Sequence, residues 1–220
     1  ITCISLFYIF SIFHLVKSSV KVNLYWFSIL LLLINPYLFL IHLSSIRQTI
    51  AICFFIFAIT FLIKRRPFMY YICVFLSMGF HSSAIILLPL YFLINDKKIK
   101  KKWFMFIFLL LAIITGTGLF EVLSYKILEF FPYNYTYYFE QGLQNSLRST
   151  LISSFFFFLI LFNINKLEGK EIIYGKLSLI ATIISLFAFK LSLISRIGMY
   201  FDVFLIVTIP LIFLKIKTKA

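Results

Sequence analysis

The chain has 220 residues, of which 63% are hydrophobic and only 13% are charged, and its mean hydropathy is +1.06. Soluble domains carry about 25% charged residues, and a soluble core of this length buries only about 70% of the surface of the unfolded chain. This composition excludes soluble enzymes, disordered proteins and nucleic-acid-binding domains. The sequence therefore predicts an integral membrane protein whose partner is the lipid bilayer and that has no nucleic-acid partner.

Apolar runs separated by short basic or polar segments follow one another along the chain. They cover 1–16, 22–41, 47–63, 68–94, 103–120, 149–163, 172–190 and 196–214. A helix needs about 20 apolar residues to cross the ~30 Å hydrocarbon layer of a bilayer. The runs are continuously apolar, which favours helices over barrel strands. We therefore expect an all-α, polytopic helical membrane protein that forms a single bundle over 1–220, with about seven transmembrane helices.

The run 68–94 is interrupted at Gly79, His81 and the two serines that follow, and basic clusters flank it on both sides. If the run is a hairpin, 16 Lys and Arg side chains lie on one side of the membrane and five on the other. A single span would distribute them nine to twelve. Because cytoplasmic loops are enriched in Lys and Arg, the first arrangement is favoured. We expect a re-entrant hairpin over 68–94 whose tip opens a polar vestibule on the non-cytoplasmic side.

The charged residues on that side form a pattern. Arg47, Arg148 and Arg196 each stand at or next to the predicted start of a helix that enters from this side, and His81 and Ser82 stand at the hairpin tip. Helix N-termini attract anions, and a guanidinium group matches the geometry of phosphate oxygens. The pattern predicts a phosphate or diphosphate site. Any one of these arginines alone could instead be an interfacial anchor, and a lone histidine could be a packing residue.

Two residues of the last run are further candidates. Asp202 is an acid inside a predicted span, which is typical of a functional site, although it could also form an ion pair with Lys190 or Arg196. Tyr200 lies four residues after Arg196 and therefore on the same helix face. Both are predicted to contact substrate.

The segment 121–147 is the one long loop predicted on the non-cytoplasmic side, and it is rich in aromatic residues, including Tyr135 and Tyr137. These side chains could form an aromatic belt at the membrane interface or a platform that stacks on sugar rings. The sequence contains no HExxH motif, no paired acids of the DxD type and no glycine-rich phosphate loop. If the protein is an enzyme, we therefore expect it to act without a metal or another cofactor.

Three short blocks bring these residues together in sequence: 45–51 around Arg47, 80–86 around His81, and 196–201 at Arg196. In order and spacing they resemble the EpsG/Wzy-type family of bacterial polysaccharide polymerases. The resemblance covers roughly 40–95 and 190–215. The chain begins with Ile1 rather than Met and looks shorter than typical family members, so we expect N-terminal spans to be missing.

The resemblance implies a multi-pass glycosyltransferase of the bacterial inner membrane with a periplasmic active face. Such enzymes join oligosaccharide units carried on undecaprenyl diphosphate into O-antigen, capsule or exopolysaccharide. Arg47, His81 and Arg196 would be its catalytic residues, and other polysaccharide-assembly proteins would be partners. Arg47 and Arg196, with Arg148, would bind the diphosphate and stabilise the negative charge that develops on it. His81 would activate the acceptor hydroxyl or complete the diphosphate site.

Two other functions remain open at this point. A flippase for lipid-linked oligosaccharides, or another transporter, would be expected to show repeated halves and broken helices in matching positions. The sequence contains one broken element and no repeat. A structural membrane subunit is the third alternative, and the arginines grouped on one side argue against it.

Overall fold

A computed structural model describes residues 2–117, 119, 122, 147–188 and 192–217 of the chain. Every regular element in these ranges is a helix, which confirms the all-α class for this part of the chain. The α-helices are α1 Thr2–Ser19, α2 Tyr25–Ile34, α3 Pro36–Ser44, α4 Ile46–Ile63, α5 Pro67–Phe80, α6 Leu90–Leu93, α7 Lys101–Gly116, α8 Leu147–Asn163, α9 Lys170–Ala188, α10 Ser192–Asp202 and α11 Leu205–Lys217. Short 3₁₀ helices cover Val22–Leu24, Ser82–Leu87 and Ile164–Lys166.

Helix α4 lies at the centre of the bundle, and α1, α3, α5 and α10 all contact it. Its Phe55 is fully buried and meets the rings of Tyr200, Phe201 and Phe204 at centroid distances of 6.0, 5.8 and 5.7 Å. Aromatic pairs at this spacing add about 0.5–1.5 kcal/mol each beyond the burial of their surface. This cluster therefore fixes α10 and the start of α11 against α4.

The segment 67–94 folds back on itself. Helix α5 begins with Pro67 at its first position, and the chain breaks at His81 before the 3₁₀ helix. The Tyr70 hydroxyl bonds the carbonyl oxygen of Leu87, and the Tyr70 and Tyr91 rings lie 5.2 Å apart. The returning half is a 3₁₀ helix and one short α-helical turn, where the sequence suggests a second half-helix of regular α form.

The basic clusters meet at one end of the bundle. The contacts that join them are Arg65 to Asp96 at 3.4 Å, Lys170 Nζ to the Ser18 carbonyl at 2.7 Å, Lys101 Nζ to the Phe162 carbonyl at 2.7 Å, Lys176 Nζ to Asn95 at 2.8 Å, and Lys215 to Glu168 and Glu171 at 3.5 Å. Arg47 stands at the start of α4 and the cluster that follows Ile63 stands at its end. The 18 residues between these points span about 27 Å. Arg47 therefore lies at the opposite end, one bilayer thickness away.

Two runs that the sequence predicts as single spans are bent. The run 22–41 divides at Asn35 into α2 and α3, whose axes differ by 54°, because Pro36 lacks an N–H and the Asn35 side chain caps the new helix through Leu38 N at 3.3 Å. The run 196–214 divides at Val203 and Phe204, with a bend of 46°. Both residues are fully buried, and Phe204 packs on Phe55.

Among the described residues, two helices are long and apolar enough to cross a bilayer, α1 and α4, and there are four such spans if each bent pair counts as one. Several other helices are apolar but shorter. The expected number of about seven transmembrane helices therefore stays a prediction.

Candidate functional site at the hairpin tip

Three segments that are distant in sequence meet at the end of the bundle opposite the basic clusters. They enclose an open cavity of about 470 Å³, here called the arginine cavity. Its lining includes Arg47 at the start of α4, His81 and Ser82 at the hairpin tip, and Arg196 in α10. The structure thus brings together four of the site residues that the sequence suggests, although the roles of these residues stay predictions.

One hydrogen bond between α4 and α5 sets the level of Arg47 and His81. The Ser77 hydroxyl donates to the carbonyl oxygen of Ala51 at 2.9 Å. Arg47 precedes Ala51 by four residues, and His81 follows Ser77 by four residues, while the two helices run in opposite directions. Each residue therefore lies about 6 Å beyond this bond, on the same side of it. The contact between Ser77 and Ala51 therefore places Arg47, in the first turn of α4, level with His81 at the hairpin tip.

Arg196 lines the cavity, but its position within its helix differs from the predicted one. It is the fifth residue of α10, which begins at Ser192, so it does not stand at a helix N-terminus. The apolar run starts later than the helix because Ser192 and Ser195 are polar. The side chain of Gln48 is 3% exposed, and its Nε2 donates to the Arg196 carbonyl oxygen at 2.6 Å. Gln48 therefore holds α10 against the start of α4, directly beside Arg47.

Two positively charged side chains, Arg47 and Arg196, line the arginine cavity. No carboxylate of the described segments lies within ion-pair distance of Arg47 or Arg196, so both guanidinium groups are available to an anion. His81 lies between α5 and the 3₁₀ helix of the segment 67–94, which begins and ends at the same end of the bundle. Burial lowers the pKa of His81 from its usual 6.5, and the positive charges of Arg196 and Arg47 lower it further. The imidazole is therefore neutral at pH 7, and it can accept a proton there.

Tyr200 is fully buried and does not line the cavity. Its hydroxyl lies 3.4 Å from Ser83 Oγ, and Ser83 Oγ lies 2.7 Å from Nδ1 of His81. Tyr200 therefore contacts Ser83, which in turn contacts His81, and it lies behind the residues that line the cavity. Because Tyr200 does not line the cavity, the contact with substrate that the sequence suggests for it stays a prediction.

Asp202 lies on another face of α10, beside a second cavity of about 310 Å³. This apolar cavity lies between α2, α3, α8, α9, α10 and α11, and its polar lining residues include Asp202, Asn35, Ser153 and Ser185. Positions 196 and 200 share one face of α10, while 198 and 202 share another, which separates the two cavities. Among the described residues, no ion pair or hydrogen bond is formed by the Asp202 carboxylate. Its predicted pairing with Arg196 is therefore not seen.

The remaining candidates lie outside the described residues. Tyr135, Tyr137 and almost the whole aromatic loop 121–147 fall there, as does Lys190. The backbone of Arg148 is the second residue of α8, and its side chain is not described. In the described part of the chain, no group of three or more His, Cys, Asp or Glu side chains could hold a metal ion.

Gln48 and Ser83 are the residues of the site that the sequence does not single out. A buried amide must find a hydrogen-bond partner, so Gln48 in the first turn of an apolar helix is a signal for an interhelical contact. The sequence cannot say which helix supplies that partner. Ser83 is one of the two serines that interrupt the run 68–94, but the sequence does not predict its contact with His81.

Replacing Gln48 by Met is expected to lower the activity of the full-length protein about five- to tenfold, because one buried hydrogen bond is worth about 1 kcal/mol and Arg196 loses its fixed position. The neighbouring variant Thr49→Val is a matched control, since among the described residues the Thr49 hydroxyl donates to the Ser45 carbonyl oxygen just before its own helix, at 3.1 Å, and joins no second helix. Activity per folded protein, quantified by fluorescence-detected size exclusion, is the measurement. Equal activities of the two variants would contradict the role of Gln48.

The comparison with known proteins gives one positive result. No curated protein and no solved structure matches the chain. The sequence model of the EpsG family matches residues 1–220, the whole length of the chain. The chain belongs to the EpsG family, a family of polysaccharide polymerase-like membrane proteins.

Proposed function

We propose that this protein is a polysaccharide polymerase of the bacterial inner membrane that joins oligosaccharide units carried on a polyprenyl diphosphate, undecaprenyl diphosphate by family resemblance. One observation carries the proposal: Arg47, Arg196 and His81 line the arginine cavity, where no described carboxylate neutralises the two guanidinium groups. Two guanidinium groups offer the planar donors that a diphosphate requires, and a neutral imidazole offers a base. Membership of the EpsG family agrees with this assignment.

The proposed orientation places the basic end of the bundle in the cytoplasm. Clusters of Lys and Arg are retained on the cytoplasmic side of multi-pass proteins, and five such clusters lie at the end opposite the arginine cavity. In this orientation the segment 68–94 enters from the cytoplasmic side and returns to it. Its tip, with His81, then lies near the periplasmic face, where the lipid-linked sugar is presented.

The apolar cavity supports a substrate that carries a lipid. Helices α3 and α10 border both cavities: Pro36 and Asp202 line the apolar cavity, while Ser44 and Arg196 line the arginine cavity. The nine residues of α3 span about 13 Å between them. An anionic head group in the arginine cavity would therefore have an apolar site within reach of its lipid chain.

The proposed reaction transfers one glycosyl group. A hydroxyl oxygen of the acceptor sugar attacks the anomeric carbon of the donor, and the bond from that carbon to the diphosphate oxygen breaks. The diphosphate keeps the bonding electron pair, and Arg47 and Arg196 stabilise the charge that develops on it. His81 takes the proton of the acceptor hydroxyl. Lipid diphosphate and a lengthened saccharide leave.

The test is polymerisation by the purified full-length protein in lipid nanodiscs, supplied with one lipid-diphosphate-linked repeat unit. The proposal expects a ladder of products whose lengths differ by one repeat unit. A flippase would move the same lipid across a vesicle membrane and leave every saccharide at its original length. Transport without any lengthening would refute the polymerase function.

The lipid part of the proposal predicts a difference between two adjacent residues of α8. Ile152 lines the apolar cavity, whereas Leu151 does not, and both side chains are exposed on the helix surface. Ile152→Trp is expected to weaken binding of a long-chain polyprenyl diphosphate about tenfold, the equivalent of about 1.4 kcal/mol, because the indole fills the mouth of the cavity. Leu151→Trp should change this affinity less than twofold. Microscale thermophoresis with long-chain and short-chain diphosphates measures both effects, and equal losses in the two variants would contradict the prediction.

A further inference from the structure

The segment 94–102, here called the lysine loop, joins α6 to the start of α7 and contains five lysines and one acid, Asp96. The acid is already engaged, because one of its carboxylate oxygens lies 3.4 Å from the guanidinium of Arg65. Four of the lysines are exposed: Lys97, Lys98, Lys100 and Lys102. Within the described part of the chain, none of these four side chains forms a hydrogen bond or an ion pair. The lysine loop therefore displays four positive charges that no described group neutralises.

The backbone of the lysine loop is fixed near its start, in its middle and at its end. Near the start, Nζ of the buried Lys176 donates to both the carbonyl oxygen and Oδ1 of Asn95 at 2.8 Å. In the middle, Ile99 packs against the hydrophobic core. At the end, Nζ of Lys101 donates to the carbonyl oxygen of Phe162 at 2.7 Å. Because these contacts already order the backbone, a ligand of the four exposed lysines binds with little further loss of backbone entropy.

The residues on both sides of the lysine loop are apolar and exposed. Phe92 and Leu93, just before it, are 76% and 66% exposed, and Trp103, just after it, is 58% exposed. In a membrane protein such side chains contact acyl chains, and tryptophan is enriched at the boundary between the hydrocarbon and the head groups. Lysine side chains at this boundary extend toward the head groups. Since the loop begins and ends beside these apolar side chains, its four exposed lysines lie at the level of the lipid phosphates.

We infer that the lysine loop is a binding site for an anionic phospholipid, with the phosphate among the four exposed lysines and the acyl chains against Phe92, Leu93 and Trp103. An ammonium group is a compact charge with three donors, which suits phosphate oxygens. Each lysine near an anionic membrane surface strengthens binding about fivefold. An acidic protein would match the charge but would leave the exposed apolar side chains without a partner, whereas a phospholipid matches both features.

This site is separate from the proposed reaction. The contacts of the lysine loop with Arg65, Phe162 and Lys176 place it among the basic clusters, at the end of the bundle opposite the arginine cavity. Its ligand is a lipid of the surrounding bilayer and takes no part in glycosyl transfer. A measurement of lipid binding therefore tests the inference whether or not the protein polymerises saccharides.

The test compares two lipids that have the same acyl chains: phosphatidylglycerol, which is anionic, and phosphatidylcholine, which is zwitterionic. Native mass spectrometry of the purified full-length protein in a neutral detergent measures the binding of each lipid. We expect the wild type to bind phosphatidylglycerol at least about tenfold more tightly than phosphatidylcholine. Equal affinities for the two lipids would overturn the inference.

Replacing all four exposed lysines of the loop by glutamine is expected to weaken binding of phosphatidylglycerol at least about tenfold and to leave phosphatidylcholine unchanged. A matched control replaces four exposed lysines of the same end of the bundle that lie outside the loop: Lys17, Lys21, Lys64 and Lys217. This control removes the same net charge and should retain the wild-type affinity within about twofold, because the loop is intact. Equal losses in the two variants would assign the attraction to the overall charge of this end and refute the site.

Two double variants keep the test decisive if the fourfold variant does not fold. Lys97→Gln with Lys98→Gln, and Lys100→Gln with Lys102→Gln, should each weaken binding of phosphatidylglycerol at least about fivefold. Wild-type affinity in both double variants would overturn the inference.

Two competitors distinguish the phospholipid from other anions. Glycerol phosphate, which is a head group without acyl chains, should not displace phosphatidylglycerol at equal concentration. Full displacement would reveal a phosphate site that needs no membrane and would contradict the inference. A polyglutamate peptide should likewise fail to displace the lipid, and displacement by it would assign the lysine loop to an acidic protein instead.

Discussion

Replacing Arg47 by alanine in the full-length protein is expected to abolish polymer ladders while single-repeat products persist. Loss of one preorganised donor to a developing anion reduces turnover by about 100- to 1000-fold. The guanidinium of Arg47 has no described carboxylate partner, so its removal leaves no buried charge behind and should not unfold the protein. Gel analysis of lipid-linked saccharides, normalised to the amount of folded protein, measures the loss.

Two other arginine variants sharpen this prediction. Arg47→Lys keeps the charge but loses the planar fork, so it should retain partial activity, about tenfold below the wild type. Arg66→Ala is the control, because Arg66 is an exposed arginine at the far end of the same helix pair. It should leave the ladders intact. Ladders of normal length from Arg47→Ala would remove the arginine cavity from the mechanism.

His81→Gln is expected to reduce the turnover number by at least about 100-fold, the usual contribution of a general base. Glutamine retains a donor for phosphate oxygens, so a residue that only bound the diphosphate would be replaced with little loss. Phe80→Leu is a suitable control, since Phe80 also lines the cavity but has no acid–base group. Near wild-type turnover in His81→Gln would contradict the role of His81 as a base.

The same residue predicts a pH dependence. The pKa of His81 lies below its usual 6.5, so the neutral, active form dominates at pH 7 and above. Activity should fall as the pH decreases through the lowered pKa, with the midpoint below 6.5. Removing a nearby positive charge should raise the pKa of His81, so in Arg47→Ala its ¹⁵N titration should move toward the usual value. A titration that moves to lower pH would contradict the arrangement of charges.

The convergence of Arg47, His81 and Arg196 could be predicted from the sequence because charge bias fixes which segments share an end of the bundle. The count of Lys and Arg required 68–94 to turn back, and this placed His81 at the level of Arg47. The structure places all of them at one cavity. Hydropathy and charge were sufficient because this prediction concerns only the end of the bundle at which each residue lies. It does not require knowing which face of its helix the residue occupies.

Helix faces and bends could not be predicted in the same way. Hydropathy does not tell which side of an apolar helix faces the core, so it did not separate buried Tyr200 from Asp202, which lines the other cavity. The bend at Val203 and Phe204 has no proline or glycine at the break and depends on the packing of Phe204 against Phe55. Such packing involves residues about 150 positions apart, which a local pattern cannot reveal.

The order in which the ribosome delivers the cavity residues also has a consequence. Arg47 and His81 belong to one adjacent helix pair, whereas Arg196 follows His81 by 115 residues. At a synthesis rate of about 5–20 residues per second, Arg196 emerges roughly 6–23 s after His81. A nascent chain therefore holds an incomplete diphosphate site until its last helices enter the membrane. Premature termination or degradation from the C-terminus would leave an inserted chain that lacks the second guanidinium group.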